Sequence, residues 1–328
     1  MIYKAFVVEE STGQYISSIK NLDTENLPSG NVLVQVCYSS LNYKDALSAT
    51  GNKGVTKKYP HTPGIDAAGI VKFSDSDNFN VGDEVIVTGY DLGMNTPGGF
   101  GEYIRVPENW VVKLPVGLTM KEAMIIGTAG FTAGISILRL MEQVKPGDGN
   151  IIVSGATGGV GSMALSMLSK AGYNTVAISG KTQEHDFLKS MGVSEIISRT
   201  DFLNMEDKPI LSAQYAGAID TVGGDILVKI IKSLKPLGLA TTCGSVGGTK
   251  LDLNVFPFIL RGVSLVGVSA QNYPDSLRKI LWEKLANELK PGNIIDLYQE
   301  VTLNELSETI NLILAGKLKG RTIVKIFT

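Results

Sequence analysis

Residues 150–164 read NIIVSGATGGVGSMA, an apolar strand running into a glycine-rich turn and then a helix of small residues. A dinucleotide pyrophosphate needs this arrangement. Gly155, Gly158 and Gly159 permit the tight turn, and Gly161 lets strand and helix approach closely. The backbone N–H groups of Thr157, Gly158, Gly159 and Val160 then face the phosphates at the positive end of the helix dipole. The loop departs from a plain G-x-G-x-x-G because Ala156 stands at the first glycine, so taken alone it also fits an ordinary turn between strand and helix. The neighbouring strand selects the nucleotide. It spans residues 173–178 and ends at Ser179-Gly180-Lys181, where an NAD enzyme carries Asp or Glu for the ribose 2′-hydroxyl. An acid repels a 2′-phosphate, whereas a hydroxyl and an ammonium hold it, so the expected cofactor is NADPH. Without an anion, Lys181 would sit unfavourably at a helix start. Arg199, after a third strand at 195–198, either closes over the adenosine phosphate or is plain surface.

The elements that position these groups are legible from periodicity. Residues 1–122 are β-rich, with alternation at 32–37, short apolar runs at 69–73 and 84–88, and turns such as Leu27-Pro28-Ser29-Gly30 and Val81-Gly82-Asp83 between them. They predict a partly open barrel. Residues 123–295 alternate strands (150–154, 173–178, 195–198, 216–221, 238–243, 263–268) with helices (159–171, 183–191, 224–234, 274–289). That is the pattern of a doubly wound parallel sheet. The tail, residues 296–328, has two strands around an amphipathic helix and is expected to complete the first domain. The apolar segment 263–269 should lie at a sheet edge, where an unpaired strand invites a second copy, and predicts a homodimer.

Composition narrows the function classes. The 328 residues are 44% hydrophobic and 19% charged, enough to bury two domain cores, and the mean hydropathy is +0.14. A net charge of −2 supplies neither a basic footprint for nucleic acid nor a polybasic surface for anionic lipid, so no partner of either kind is expected. The uncharged stretch 123–138 is short for a membrane span and carries Gly127, Thr128, Gly130, Thr132, Gly134 and Ser136, which predicts a buried packing helix. MIYKAFVVEE has no signal or transit character, so a cytoplasmic location is expected. Cys37, Cys243, His61 and His185 are isolated from one another, which rules out a four-thiolate zinc and makes a Cys/His catalytic zinc depend on gathering all four. No metal is expected.

With these residues in view, the chain resembles the zinc-independent medium-chain dehydrogenases/reductases over essentially its full length, within them the acryloyl-CoA reductase and quinone oxidoreductase group. The resemblance is carried by Ser39-Ser40-Leu41-Asn42-Tyr43-Lys44-Asp45-Ala46, Pro63-Gly64-Ile65-Asp66, residues 123–133, the Gly-Ala-Thr-Gly-Gly-Val-Gly loop, Ser179-Gly180-Lys181, residues 218–223, Pro257-Phe258-Ile259-Leu260-Arg261 and Gly320-Arg321-Thr322. It implies an α/β protein, a Rossmann domain at 123–295 beside a GroES-like β-barrel catalytic domain at 1–122 completed by 296–328. Zinc-dependent relatives have a ligand Cys within the segment matched by 42–45, and Gly-His-Glu where this chain has Gly64-Ile65-Asp66.

An alcohol dehydrogenase needs a Lewis acid on the alkoxide oxygen, so the missing ligands favour another acceptor, an alkene conjugated to a carbonyl or a quinone. Hydride addition to the β-carbon builds enolate charge on the carbonyl oxygen, which hydrogen-bond donors stabilise. The resemblance puts Asn42 and Tyr43 beside the nicotinamide as those donors, with Tyr43 also contacting the cofactor. Asp45 then either participates or orients Asn42 or Lys44, and Lys44 either gives the proton or faces solvent. Sheet geometry puts Gly244, Ser245 and Ser269, after the fifth and sixth strands, along the nicotinamide half; the resemblance makes Ile259 and Arg321 cofactor neighbours; Thr128 either bonds near the nicotinamide carboxamide or packs its helix, and Arg261 braces its loop. Lys53, Lys57 and Lys58 either meet coenzyme A phosphates or form a solvated loop. Three readings stand: reduction of an acryloyl-CoA-like enoyl thioester, reduction of a quinone, and a non-catalytic or redox-sensing NADPH binder, the last disfavoured by Asn42, Tyr43 and Asp45.

Overall fold

Alternating residues from Ile2 onward build a long antiparallel hairpin of β1 (Ile2–Ser11) and β2 (Gln14–Asp23). Thr12 and Gly13 both take positive φ between them, the backbone that suits a two-residue hairpin turn. The next strand, β3 (Val32–Leu41), leads into α1 (Tyr43–Ala49), β4 (Asp66–Ser74), β5 (Glu84–Thr88), β6 (Tyr103–Val106) and β7 (Val111–Lys113). Val32, Val34 and Val36 recur at the strand period and meet Val71, Val85, Val87 and Ile104 in one core. The computed structural model describes residues 1–327 and separates them into two units: 1–128 with 271–287 and 294–327, and 129–270 with 288–293.

A long helix, α2 (Met120–Gln143), breaks at Gly127, one residue before the chain leaves the first unit. By length and hydropathy it could cross a membrane, but 78% of its apolar window is buried inside the protein, as for a core helix. The second unit runs β8 (Asn150–Val153), α3 (Gly159–Lys170), β9 (Thr175–Ser179), α4 (His185–Ser190), β10 (Glu195–Ser198), α5 (Arg199–Leu203), β11 (Tyr215–Asp220), α6 (Gly224–Lys232), β12 (Leu234–Thr242), α7 (Phe256–Arg261) and β13 (Ser264–Gly267). Its six strands are parallel in the order β10-β9-β8-β11-β12-β13, so the order reverses between β8 and β11. Ile226, Leu227, Ile230 and Ile231 of α6 pack on Ile152, Val176, Ala218 and Ala240 of this sheet.

The chain returns through α8 (Asp275–Ala286), β14 (Tyr298–Thr302), α9 (Leu306–Leu314) and β15 (Arg321–Lys325). The sheet order β14-β15-β3-β4-β5-β7, with β6 also on β3, makes the tail part of the first unit. Residues 271–287 group with that unit too, although their helical pattern follows directly on the parallel sheet. The cause is Arg278, almost wholly buried, which donates to Thr88 O at 2.9 Å and Gln271 O at 3.1 Å and lies 4.4 Å from the Tyr90 ring centroid. The parallel sheet of the second unit and the mixed sheet of the first are thus both present.

Candidate functional site

In the second unit, the loop after β8 passes through Thr157 and Gly158 into α3, whose N-cap is Gly158 and whose first turn holds no acid. Its free N–H groups suit an anion. Gly161 is required by close approach, since a Cβ there would lie 2.4 Å from Gly155 O. At the end of the neighbouring β9, the Ser179 hydroxyl accepts from Lys181 N at 3.0 Å. A Cβ on Gly180 would lie 2.9 Å from Arg199 Nη2, so the exposed Arg199 lies directly over the Ser-Gly-Lys turn. Burial lowers the Lys181 pKa, with Glu184 opposing, and an arriving phosphate would reverse that shift. These residues fit a nucleotide carrying a 2′-phosphate. Gly244, Ser245 and Ser269 lie beyond the carboxyl ends of β12 and β13, and Ile259 stands exposed on α7.

In the first unit, polar residues converge that are far apart in the chain. Asn42 caps α1, and its backbone N–H donates to Asp45 Oδ2 at 2.8 Å. Asp45 Oδ1 accepts from Gly64 N at 3.1 Å and Ile65 N at 2.8 Å. The Asn42 amide nitrogen donates to Asp66 Oδ2 at 2.8 Å and Asp45 Oδ2 at 3.3 Å, while its oxygen accepts from Arg321 Nη1 at 3.2 Å. Asp66 also receives Ser40 Oγ at 2.6 Å, Thr128 N at 2.9 Å and Thr128 Oγ1 at 2.5 Å. Arg321 Nε donates to Ile125 O at 3.0 Å, and its Nη2 lies 4.0 Å from Asp66 Oδ2.

Two carboxylates and one guanidinium therefore share a buried site. Burial, then the Asp66 charge, push the Asp45 carboxyl up to about 7, against the N–H donors that hold its ionised form. Burial pulls Arg321 below the usual guanidinium range, with Asp66 and then Asp45 opposing. Lys44 is half-buried, its ammonium 2.8 Å from Gln271 Oε1, and burial lowers its pKa while Asp45 opposes. Tyr43 stands 43% exposed.

The buried network takes in several of the residues expected at the site. Asn42, expected as a donor beside the nicotinamide, directs its amide protons to two aspartates. Thr128 and Arg321, expected beside the cofactor, hydrogen-bond within the buried network, Thr128 to Asp66 and Arg321 to Asn42. Lys53 pairs with Glu10 at 2.6 Å and lies over the Tyr15 and Tyr59 rings, which leaves Lys57 and Lys58 of the three lysines. Asp66 and Ser40 were given no role from sequence. The signal available was Asp66 itself, an acid directly beside Ile65 at the start of an apolar strand.

Residues 28–116 match the alcohol dehydrogenase GroES-like domain family, and residues 159–287 the zinc-binding dehydrogenase family. The chain is 36% identical over 328 residues to the acrylyl-CoA reductase AcuI of Ruegeria pomeroyi, covering 99% of each. It is 41% identical over 327 residues to YhfP of Bacillus subtilis, provisionally named a quinone oxidoreductase, again covering 99% of each; the solved structure of YhfP with NAD bound superposes with a TM-score of 0.96. The yhdH oxidoreductase of Salmonella enterica, solved with NADP, is 41% identical with a TM-score of 0.96, covering 99% of this chain and 100% of that one.

Proposed function

Because the chain belongs to the zinc-independent medium-chain dehydrogenases/reductases, in the group of the acrylyl-CoA reductases and YhfP, we propose that it is an NADPH-dependent reductase of a carbonyl-conjugated alkene. An acryloyl-CoA-like enoyl thioester is the substrate of this reading. The observation that carries it is Ile65, which replaces the ligand histidine of zinc-dependent relatives, beside carboxylates that take N–H and O–H donors from their own chain. These groups are committed to one another, so the donor left for an acceptor whose developing charge is an enolate is the exposed Tyr43 beside them.

NADPH, when bound, supplies the hydride. The α3 N-terminus would hold its pyrophosphate, and Ser179, Lys181 and Arg199 would hold the 2′-phosphate. Asn42 keeps Asp45, Asp66 and Arg321 in one arrangement and thereby fixes the start of α1, which carries Tyr43 and Lys44. The exposed Tyr43 is the side chain left to meet the substrate, and the Lys44 ammonium on Gln271 is the group to protonate the α-carbon.

Quinone reduction is the second reading, favoured by the engagement of Lys53, which removes one of three lysines from any coenzyme A phosphate contact. Measuring NADPH oxidation with acryloyl-CoA and with a panel of quinones separates the two. Turnover with acryloyl-CoA alone is expected; turnover with quinones alone would replace the first reading, and none with either would leave a nucleotide binder.

A homodimer belongs to the same proposal. The edge strand β13 and the exposed Phe256, Ile259 and Leu260 of α7 support it. Light scattering at micromolar concentration should give twice the chain mass, and Val266→Lys should lower it toward one chain. A monomer throughout would reject the dimer.

A further inference from the structure

Asp220 ends β11, fully buried, and its carboxylate joins the carboxyl ends of three adjacent parallel strands. Oδ1 accepts from Ser154 Oγ at 2.6 Å, just beyond β8, and from Val222 N at 3.2 Å. Oδ2 accepts from Thr242 Oγ1 at 2.9 Å, the last residue of β12, and from Gly223 N at 2.9 Å. Among the described residues Asp220 forms no ion pair, so four neutral donors satisfy the charge. The position is the one where strand order reverses, and open parallel sheets bind ligands in the crevice outside it.

The bonds continue into two loops. Ser154 Oγ also accepts from Thr221 N at 2.9 Å, and Thr221 Oγ1 donates to Ser154 O at 3.0 Å, which locks the residue preceding the glycine loop. A Cβ on Gly155 would lie 2.1 Å from Thr221 Oγ1, and one on Gly244 2.0 Å from Thr221 O. Gly247 N donates to Val222 O at 2.8 Å. The turn at 221–223 is therefore a wall shared by the 155–161 and 244–248 loops, and Asp220 fixes that wall.

We propose that Asp220 is a positioning residue for the cofactor, setting both loops through the turn at 221–223; this rests on the reading that the glycine loop receives the NADPH pyrophosphate. An acceptor-only group is needed because two of the four donors are backbone N–H groups on different oxygens. An amide in its place would turn an NH2 toward one of them. Ser179, Lys181 and Arg199 make none of these bonds, so the 2′-phosphate contacts stay outside the effect.

The test combines Asp220→Asn with hydrogen exchange on cofactor-free protein and with NADPH and NADH titrations followed by fluorescence. Exchange should quicken in both loops, and affinity for NADPH and NADH should fall together by roughly 10- to 100-fold, at one nucleotide per chain and with their ratio unchanged. Ser154→Ala and Thr242→Val, each removing one donor, should give smaller losses in the same direction and serve if Asp220→Asn does not fold. Affinities within twofold of the parent, a loss confined to NADPH, or unchanged exchange in both loops would overturn the assignment. A parent protein that binds neither nucleotide would instead defeat the proposed function.

Discussion

The Asn42 amide nitrogen lies 2.8 Å from Asp66 Oδ2, and the Asn42 oxygen accepts from Arg321 at 3.2 Å, so one buried amide bridges a carboxylate and a guanidinium. Removing it in Asn42→Ala leaves both ions short of a partner, which costs about 1–3 kcal/mol of stability. The start of α1 loses its anchor as well. The rate constant kcat should fall roughly 10- to 1000-fold with NADPH affinity nearly intact, because the cofactor cradle lies in other residues. Steady-state kinetics with urea unfolding would check both, and wild-type kcat in the variant would remove the network from the mechanism.

Nucleotide selectivity should reside in Ser179, Lys181 and Arg199. Lys181→Ala is expected to weaken NADPH by about 1–3 kcal/mol and NADH little, since only NADPH brings a phosphate to the ammonium. Gly180→Ala should act in the same direction by displacing the Arg199 guanidinium, 2.9 Å from the new methyl position. Equal losses for both nucleotides in either variant would contradict the 2′-phosphate role.

Asp45 gives a pH dependence with a definite sign. Its carboxyl sits at about 7 in the folded protein, against about 3.9 in an unfolded chain. The folded state binds that proton more tightly, so the stability it contributes is full below about pH 4 and lost as pH rises through about 7. Asp45→Asn cannot titrate, so the wild type should lose stability relative to the variant as pH rises from 5 to 8, read as Tm. A difference constant across that window would mean that the N–H donors from Asn42, Gly64 and Ile65 keep the carboxylate ionised.

Tyr43 separates donation from packing. If its hydroxyl meets the enolate oxygen, Tyr43→Phe should lower kcat while KM for NADPH holds. A silent Tyr43→Phe with a raised KM in Tyr43→Ala would show that the ring packs and that backbone amides carry the charge.

The sequence by itself determined what is local. Strand, glycine turn and small-residue helix at 150–164 follow from period and backbone freedom, and the alternation of strands and helices from 150 to 268 specifies a parallel sheet because consecutive parallel strands need crossovers. The position of Ser179 and Lys181 at the end of β9 follows for the same reason. The tertiary structure decided the rest. The antiparallel pairing of β15 with β3, with Thr322 opposite Leu41, brings Arg321 to Asn42 across 279 residues. A short amide has no directional signature in sequence, so the partners of Asn42 are set by which distant strands pair. The same holds for α8, whose pattern shows an apolar face without showing which core receives it, and for Asp220, whose four donors come from three separate segments of the chain.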